Sequence, residues 1–259
     1  MDPPQSPATL KLRQPKEEAT YQVPASLYSQ LVEFRYQLNK NFLPENASEL
    51  EGQRSEGADD EMDVSKLLAP PEWKANIDRV LFTESAIQTR IKALAATISE
   101  DYKGKEIVAV GLLKGAVCFM VDLLKYLSVP YTMDFMALSS YGKGTKSKGS
   151  VVMKKDLGED PAGKHILIVE DIIDTGGTLR WLKKYLSSKN CASIRIACLL
   201  DKKARRSSEN TDIHIDYPGF HCPDKFVIGY GLDFAGHYRC LPFIGVLKPE
   251  AYGGGEEEE

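Results

Sequence analysis

The chain has 259 residues, enough for one large domain or two small ones. Apolar residues make up 42% and charged residues 27%, and a net charge of −4 with a pI of about 5.7 excludes a chain-wide basic footprint for nucleic acid. No apolar run approaches the ~20 residues that span a bilayer, and MDPPQSPATLKLRQPKEE at the start lacks the apolar core of a secretion signal, so a cytoplasmic protein without a membrane partner is expected.

Taken in chain order, residues 1–24 hold five prolines among polar residues and read as an extended segment. From Ser26 the pattern changes. Leu27, Leu31, Phe34, Leu38 and Phe42 recur at steps of three and four, which predicts an amphipathic helix over 26–43, docked on its own domain or on a partner. The acidic stretch ENASELEGQRSEGADDEMD has no apolar periodicity and reads as a linker. Residues 1–65 are thus expected to be an N-terminal extension, 66–250 the folded domain, and 251–259 an acidic tail.

Within the domain a helix is predicted from Glu84 to Ser99, capped by Thr83 and burying Ile87, Ile91, Leu94, Ala95 and Ile98. Strand KEIVAVGLL, helix AVCFMVDLLKYL, strand YTMDFMAL, the Gly/Lys/Ser-rich loop SSYGKGTKSKGS and the short strand VVMK follow. Next come strand IVE, helix TLRWLKKYLSS, and strands SIRIACLL, KFVIGYG and FIGVLK. This alternation predicts an α/β fold with a mainly parallel central sheet flanked by helices, in which ligands bind off the carboxyl ends of the strands. The five cysteines form no C-x-x-C pair and read as reduced thiols, and the four histidines show no ligand spacing.

The stretch HILIVEDIIDTGGTL, His165 to Leu179, concentrates the chemistry. An apolar strand leads through a small-residue turn to a helix N-terminus, where free backbone N–H groups hold phosphates. Three carboxylates, Glu170, Asp171 and Asp174, lie in or beside that turn and need another partner. A carboxylate only accepts hydrogen bonds, and two neighbouring sugar hydroxyls offer two donors, so the pattern asks for a sugar phosphate with a free cis-diol.

VEDIIDTGGTL resembles the phosphoribosyl pyrophosphate signature of the type I phosphoribosyltransferases. VGLLKGAVCFMVDLL, DFMALSSYG and PDKFVIGYGLDFAGHYR resemble, in order, the Leu-Lys-Gly loop, the Ser-Tyr lid and the purine-binding segment of the hypoxanthine-guanine phosphoribosyltransferase family. The resemblance implies that family's fold, with a small hood subdomain, and a Mg²⁺-dependent transfer of phosphoribose from phosphoribosyl pyrophosphate to a 6-oxopurine. A homodimer or homotetramer is implied as well. Carried over residue by residue, Thr175, Gly176, Gly177 and Thr178 would hold the 5′-phosphate, and Glu170 and Asp171 the ribose hydroxyls with Mg²⁺ close by. Asp174 would lie near N7 of the base as the catalytic acid or base, and Lys202 would contact the 6-oxo group. Lys114, Gly115 and Arg239 would meet pyrophosphate, with Ser140 and Tyr141 closing over it. Phe226 would stack on the base beside Lys225, Val227 would read its exocyclic edge, and Asp233 would bind a second Mg²⁺ directly or through water.

Each residue also has a plainer reading. Asp174 is a common type of helix N-cap, Phe226 an ordinary core aromatic, and Lys114 an ordinary exposed lysine. DKKARR alone is a solvated charge run, in which Lys203, Arg205 and Arg206 read as surface residues. Gly177 departs from the family, many of whose members carry a side chain there. On the same fold, a catalytically weak regulatory or scaffold protein using the N-terminal extension is the alternative function.

Overall fold

The computed structural model describes residues 64–67, 69–141, 150–206, 210 and 213–253. The expected helix at 26–43, the acidic linker, the loop residues 142–149 and the tail beyond 253 lie outside these residues.

The chain runs through α1 (Pro71–Ala75), β1 (Ile77–Phe82), α2 (Glu84–Asp101), β2 (Ile107–Leu112), α3 (Val117–Tyr126), β3 (Tyr131–Tyr141), β4 (Ser150–Lys155) and β5 (His165–Ile173). It continues through α4 (Gly177–Ser187), β6 (Ser193–Asp201), β7 (Tyr217–His221), β8 (Val227–Ile228) and β9 (Ile244–Leu247). Six strands form the main sheet in the order β4-β3-β2-β5-β6-β7, all parallel except the β3–β4 pair. A second, antiparallel sheet, β1-β9-β8, is the hood.

Ile166 to Val169 of β5 are fully buried, as a central parallel strand covered on both faces requires. One face of the sheet packs against α2 and α3 through Ile87, Ile91, Ile98, Phe119 and Leu123; the other packs against Leu179, Leu182 and Leu186 of α4. Thr83 caps α2 by accepting from the Ala86 N–H at 3.2 Å, as its sequence position predicts. A third apolar cluster, with Ile77, Ile228, Tyr238 and Phe243, holds the hood together.

Three elements differ from expectation. Helix α4 begins at Gly177 rather than near Thr175, because Gly176 takes a left-handed conformation (φ 84°) and acts as the N-cap. The strand expected over KFVIGYG shrinks to Val227–Ile228, since Gly229, Tyr230 and Gly231 all have positive φ and turn the chain. Strand β7, unexpected from its Pro218-Gly219 pair, lies at the sheet edge where proline is tolerated. Gly219 is required there, as a Cβ would meet the Leu199 carbonyl oxygen at 2.2 Å.

Candidate active site

The connections after β2 and β5 leave the sheet in opposite directions, one towards β3 and the other towards β6. Such a switch point opens a crevice at the strands' carboxyl ends. The Lys114-Gly115 turn follows β2 and the Asp174–Gly176 turn follows β5, so the fold brings together two segments read separately in the sequence.

Gly115 lies directly against Asp171: a Cβ on Gly115 would fall 1.7 Å from the carboxylate Oδ2. Gly231 (φ 104°) closes from the hood, where its own Cβ would fall 2.0 Å from the Gly115 carbonyl oxygen. Arg239 donates from Nη1 to the Gly231 carbonyl at 2.6 Å, and its Nη2 pairs with Asp233 Oδ1 at 2.6 Å. The other Asp233 oxygen accepts from the Gly236 N–H at 2.8 Å. Lys114 itself is exposed at the mouth.

Glu170 and Asp171 are desolvated. Burial, reinforced by the Asp171 charge, pushes the Glu170 carboxyl well above the usual carboxylate range, and its Oε2 has no hydrogen-bond partner. Asp171 is pushed up to about 6, again by burial, with its own and the Ile172 backbone N–H and the Arg239 charge pulling the other way. A buried acidic oxygen without a donor, as at Glu170 Oε2, is suited to a cation or a hydroxyl brought in by a ligand.

Asp174 is not the N-cap of α4; Gly176 is, and no side chain caps that end. The Asp174 Oδ1 is shielded, has no hydrogen-bond partner, and lies 3.4 Å from Arg205 Nε. Arg205 also stands 3.8 Å from Asp224 Oδ1, and Lys202 Nζ is 3.3 Å from that same oxygen. Lys202 is no solvated lysine: it is 7% exposed and donates from Nζ to the Lys225 carbonyl at 2.7 Å. Phe226 precedes β8 and is 37% exposed, so it is not a core aromatic. Its ring meets Phe234 edge-on and stacks on Tyr252 at 5.0 Å. Val227 is buried in β8, opposite Val246.

Thr175, Gly176, Gly177 and Thr178 form the turn and first helical positions after β5. Ser140 and Tyr141 end β3, paired with Val151 and Ser150.

Several residues near the site were not singled out in the sequence. Arg205 reaches Asp174, and Arg206 is buried in an ion pair with Asp201 (Nη2–Oδ1 2.5 Å) rather than on the surface. Asn210 donates to the Thr175 carbonyl at 2.9 Å. Tyr252 backs Phe226 from within the expected tail. Of these, only the arginines carried a signal, and it was submerged in a charge run.

A phosphoribosyl transferase domain model matches residues 81–235. Hypoxanthine-guanine phosphoribosyltransferase of Bacillus subtilis is 47% identical over 179 residues, covering 69% of this chain and 98% of that protein. The chain spans 27% of the length of the Listeria monocytogenes bifunctional protein TilS/HprT, at 46% identity. A crystal structure of hypoxanthine phosphoribosyltransferase from Staphylococcus aureus superimposes with a TM-score of 0.66 and 46% identity, covering 70% of this chain and 97% of that one.

Proposed function

Because the chain belongs to the phosphoribosyltransferase family, of the hypoxanthine-guanine type, we propose that it transfers the 5-phosphoribosyl group from phosphoribosyl pyrophosphate to a 6-oxopurine in purine salvage. The observation that carries this reading is the crevice itself. Beside the turn Thr175–Thr178, Arg205 lies 3.4 Å from Asp174 and 3.8 Å from Asp224, and that Asp224 oxygen is 3.3 Å from the buried Lys202 ammonium. Lys202 in turn donates to the carbonyl just before the accessible Phe226 ring.

In the reaction the C1′–O bond breaks and its electron pair leaves with pyrophosphate, while a ring nitrogen of the purine forms the new bond to C1′. The proton displaced from the base goes to Asp174, whose Oδ1 makes no hydrogen bond and is faced by the half-exposed Arg205 at 3.4 Å. Lys202 donates to the 6-oxo group. A 6-amino group offers hydrogens instead, so adenine is disfavoured. Phe226 supplies an aromatic face for the base, with Lys225 and Val227 along its edge. Lys114, the Gly115 backbone and Arg239 receive the pyrophosphate, with Ser140 and Tyr141 at the β3 end of the crevice, and stabilise its growing charge. Glu170 and Asp171 accept from the ribose hydroxyls.

Mg²⁺ fits this site, because Glu170 and Asp171 present desolvated carboxylate oxygens and Glu170 Oε2 lacks a partner. Among the described residues no group of three or more His, Cys, Asp or Glu side chains is placed to hold a metal, in keeping with a hard cation that takes other ligands from phosphate and water. Glu170 and Asp171 would hold it, and Asp233 would hold a second Mg²⁺ through water, because both its oxygens are already engaged. The cation supplies charge neutralisation on the leaving pyrophosphate.

The unit is assigned to residues 66–250, in a cytoplasmic homodimer or homotetramer. No helix among the described residues is long and apolar enough to cross a membrane. The test is to incubate the protein with phosphoribosyl pyrophosphate, Mg²⁺ and hypoxanthine, guanine or xanthine in turn. Nucleoside 5′-monophosphate is expected with at least one base; well-folded protein giving none with any of them overturns the reading.

A further inference from the structure

The phosphate turn does not stand alone. Beneath Gly176 pack three side chains from the segment after β6: a Cβ added to Gly176 would meet Ile213 Cδ1 at 2.6 Å, Asn210 Cβ at 3.1 Å and Arg206 Cδ at 3.2 Å. Arg206 is itself fixed by its ion pair with Asp201, both side chains being less than a tenth exposed. Asn210 is 7% exposed, donates from Nδ2 to the Thr175 carbonyl at 2.9 Å, and accepts at Oδ1 from Arg180 Nη1 of α4 at 3.4 Å.

These contacts fix a peptide plane. In a planar trans peptide the C=O and the following N–H point in opposite directions. With the Thr175 carbonyl held by Asn210 at 2.9 Å, the Gly176 N–H is turned away from Asn210, and the proposed function puts the phosphate on that opposite side. The bond from Arg180 ties the same amide to the first turn of α4, whose free N–H groups complete an anion cradle. Asn210 therefore clamps both halves of the turn in one orientation before any ligand arrives, which lowers the ordering cost of binding.

We propose that Asn210 is a positioning residue for the 5′-phosphate, acting through the Thr175–Gly176 peptide without touching substrate. This rests on Thr175–Thr178 being the phosphate site. Asn210→Ala removes the hydrogen bonds to the Thr175 carbonyl and from Arg180. Asn210→Asp keeps the shape and the acceptor for Arg180 but sets an oxygen against the Thr175 carbonyl. In the full-length protein both variants are expected to raise KM for phosphoribosyl pyrophosphate about tenfold. KM for the purine base should stay within about twofold. Binding of the nucleoside 5′-monophosphate, followed by titration calorimetry, should weaken in parallel, while inhibition by free pyrophosphate should not move. A general structural role would instead raise both KM values together with a lower melting temperature, and that result overturns the proposal. So do variants with an unchanged KM for phosphoribosyl pyrophosphate beside an active wild type, which leave the transferase reading intact. A wild type that neither forms nucleotide nor binds the monophosphate overturns the phosphate-site reading and this proposal with it.

Discussion

Asp174 has little structural work to do. Its shielded oxygen lacks a hydrogen-bond partner, and its one ion pair, to half-exposed Arg205, is of a kind worth at most about 1 kcal/mol. Asp174→Asn is therefore expected to leave the melting temperature nearly unchanged while lowering kcat by about 10²–10⁴, the usual range for losing a positioned proton acceptor. Steady-state rates and a thermal melt on the same sample check both halves. Lys202 is the opposite case, because its ammonium is buried and satisfied by the Lys225 carbonyl and the Asp224 carboxylate. Lys202→Ala leaves those acceptors without their donor, so KM for a 6-oxopurine should rise and some stability should be lost. Kinetics with hypoxanthine, together with a urea titration, measure the two effects.

At the scale of elements, the hood loop carrying Asp233 and Arg239 is tied to the core through Tyr230. That residue holds a positive φ between two glycines and donates from its hydroxyl to Asp122 of α3 at 2.5 Å; Asp122 also accepts from Gln88 of α2 at 2.7 Å. Tyr230→Phe removes the hydroxyl that joins hood to helix. It should cost about 1–2 kcal/mol in a urea titration and, with Arg239 proposed to receive pyrophosphate, raise the inhibition constant for pyrophosphate. The main helices and parallel strands were legible because their burial follows period: α2 and α4 show their apolar stripe in the sequence, and β5 shows an unbroken apolar run. The strand–turn–helix from Glu170 to Thr178 was legible for a similar reason, being contiguous. Asn210 was not, because a lone Asn in a polar segment gains meaning only from a carbonyl 35 residues away. Tyr252 was hidden in the same way, and β7 was masked by a Pro-Gly pair that only an edge position permits.

For the whole molecule, the carboxylates of the crevice set a dependence on pH. A carboxylate whose folded pKa is raised penalises the folded state once it ionises. The penalty is absent below the ordinary carboxylate range and grows as pH rises through the folded pKa, about 6 for Asp171, with Glu170 also held well above its ordinary range by burial. Asp122 and Asp134 are held low by their donors and act with the opposite sign, so the informative quantity is a difference. Asp171→Asn should match the ligand-free wild type in stability near pH 4 and exceed it by at most about 3 kcal/mol near pH 7. Melting curves from pH 4 to pH 7.5 read this directly, and a gap that narrows with rising pH would contradict it. The contact of Gly115 with Gly231 has a different kind of consequence. Neither position has room for a side chain, and the obstacle at each is either the other's backbone or a carboxylate that the site needs. A change at one cannot be compensated at the other, so both are closed to gradual divergence. With Lys225 to Val227 proposed as the base-reading edge, drift in base preference among descendants of this chain must be recorded there or in the segment following β6.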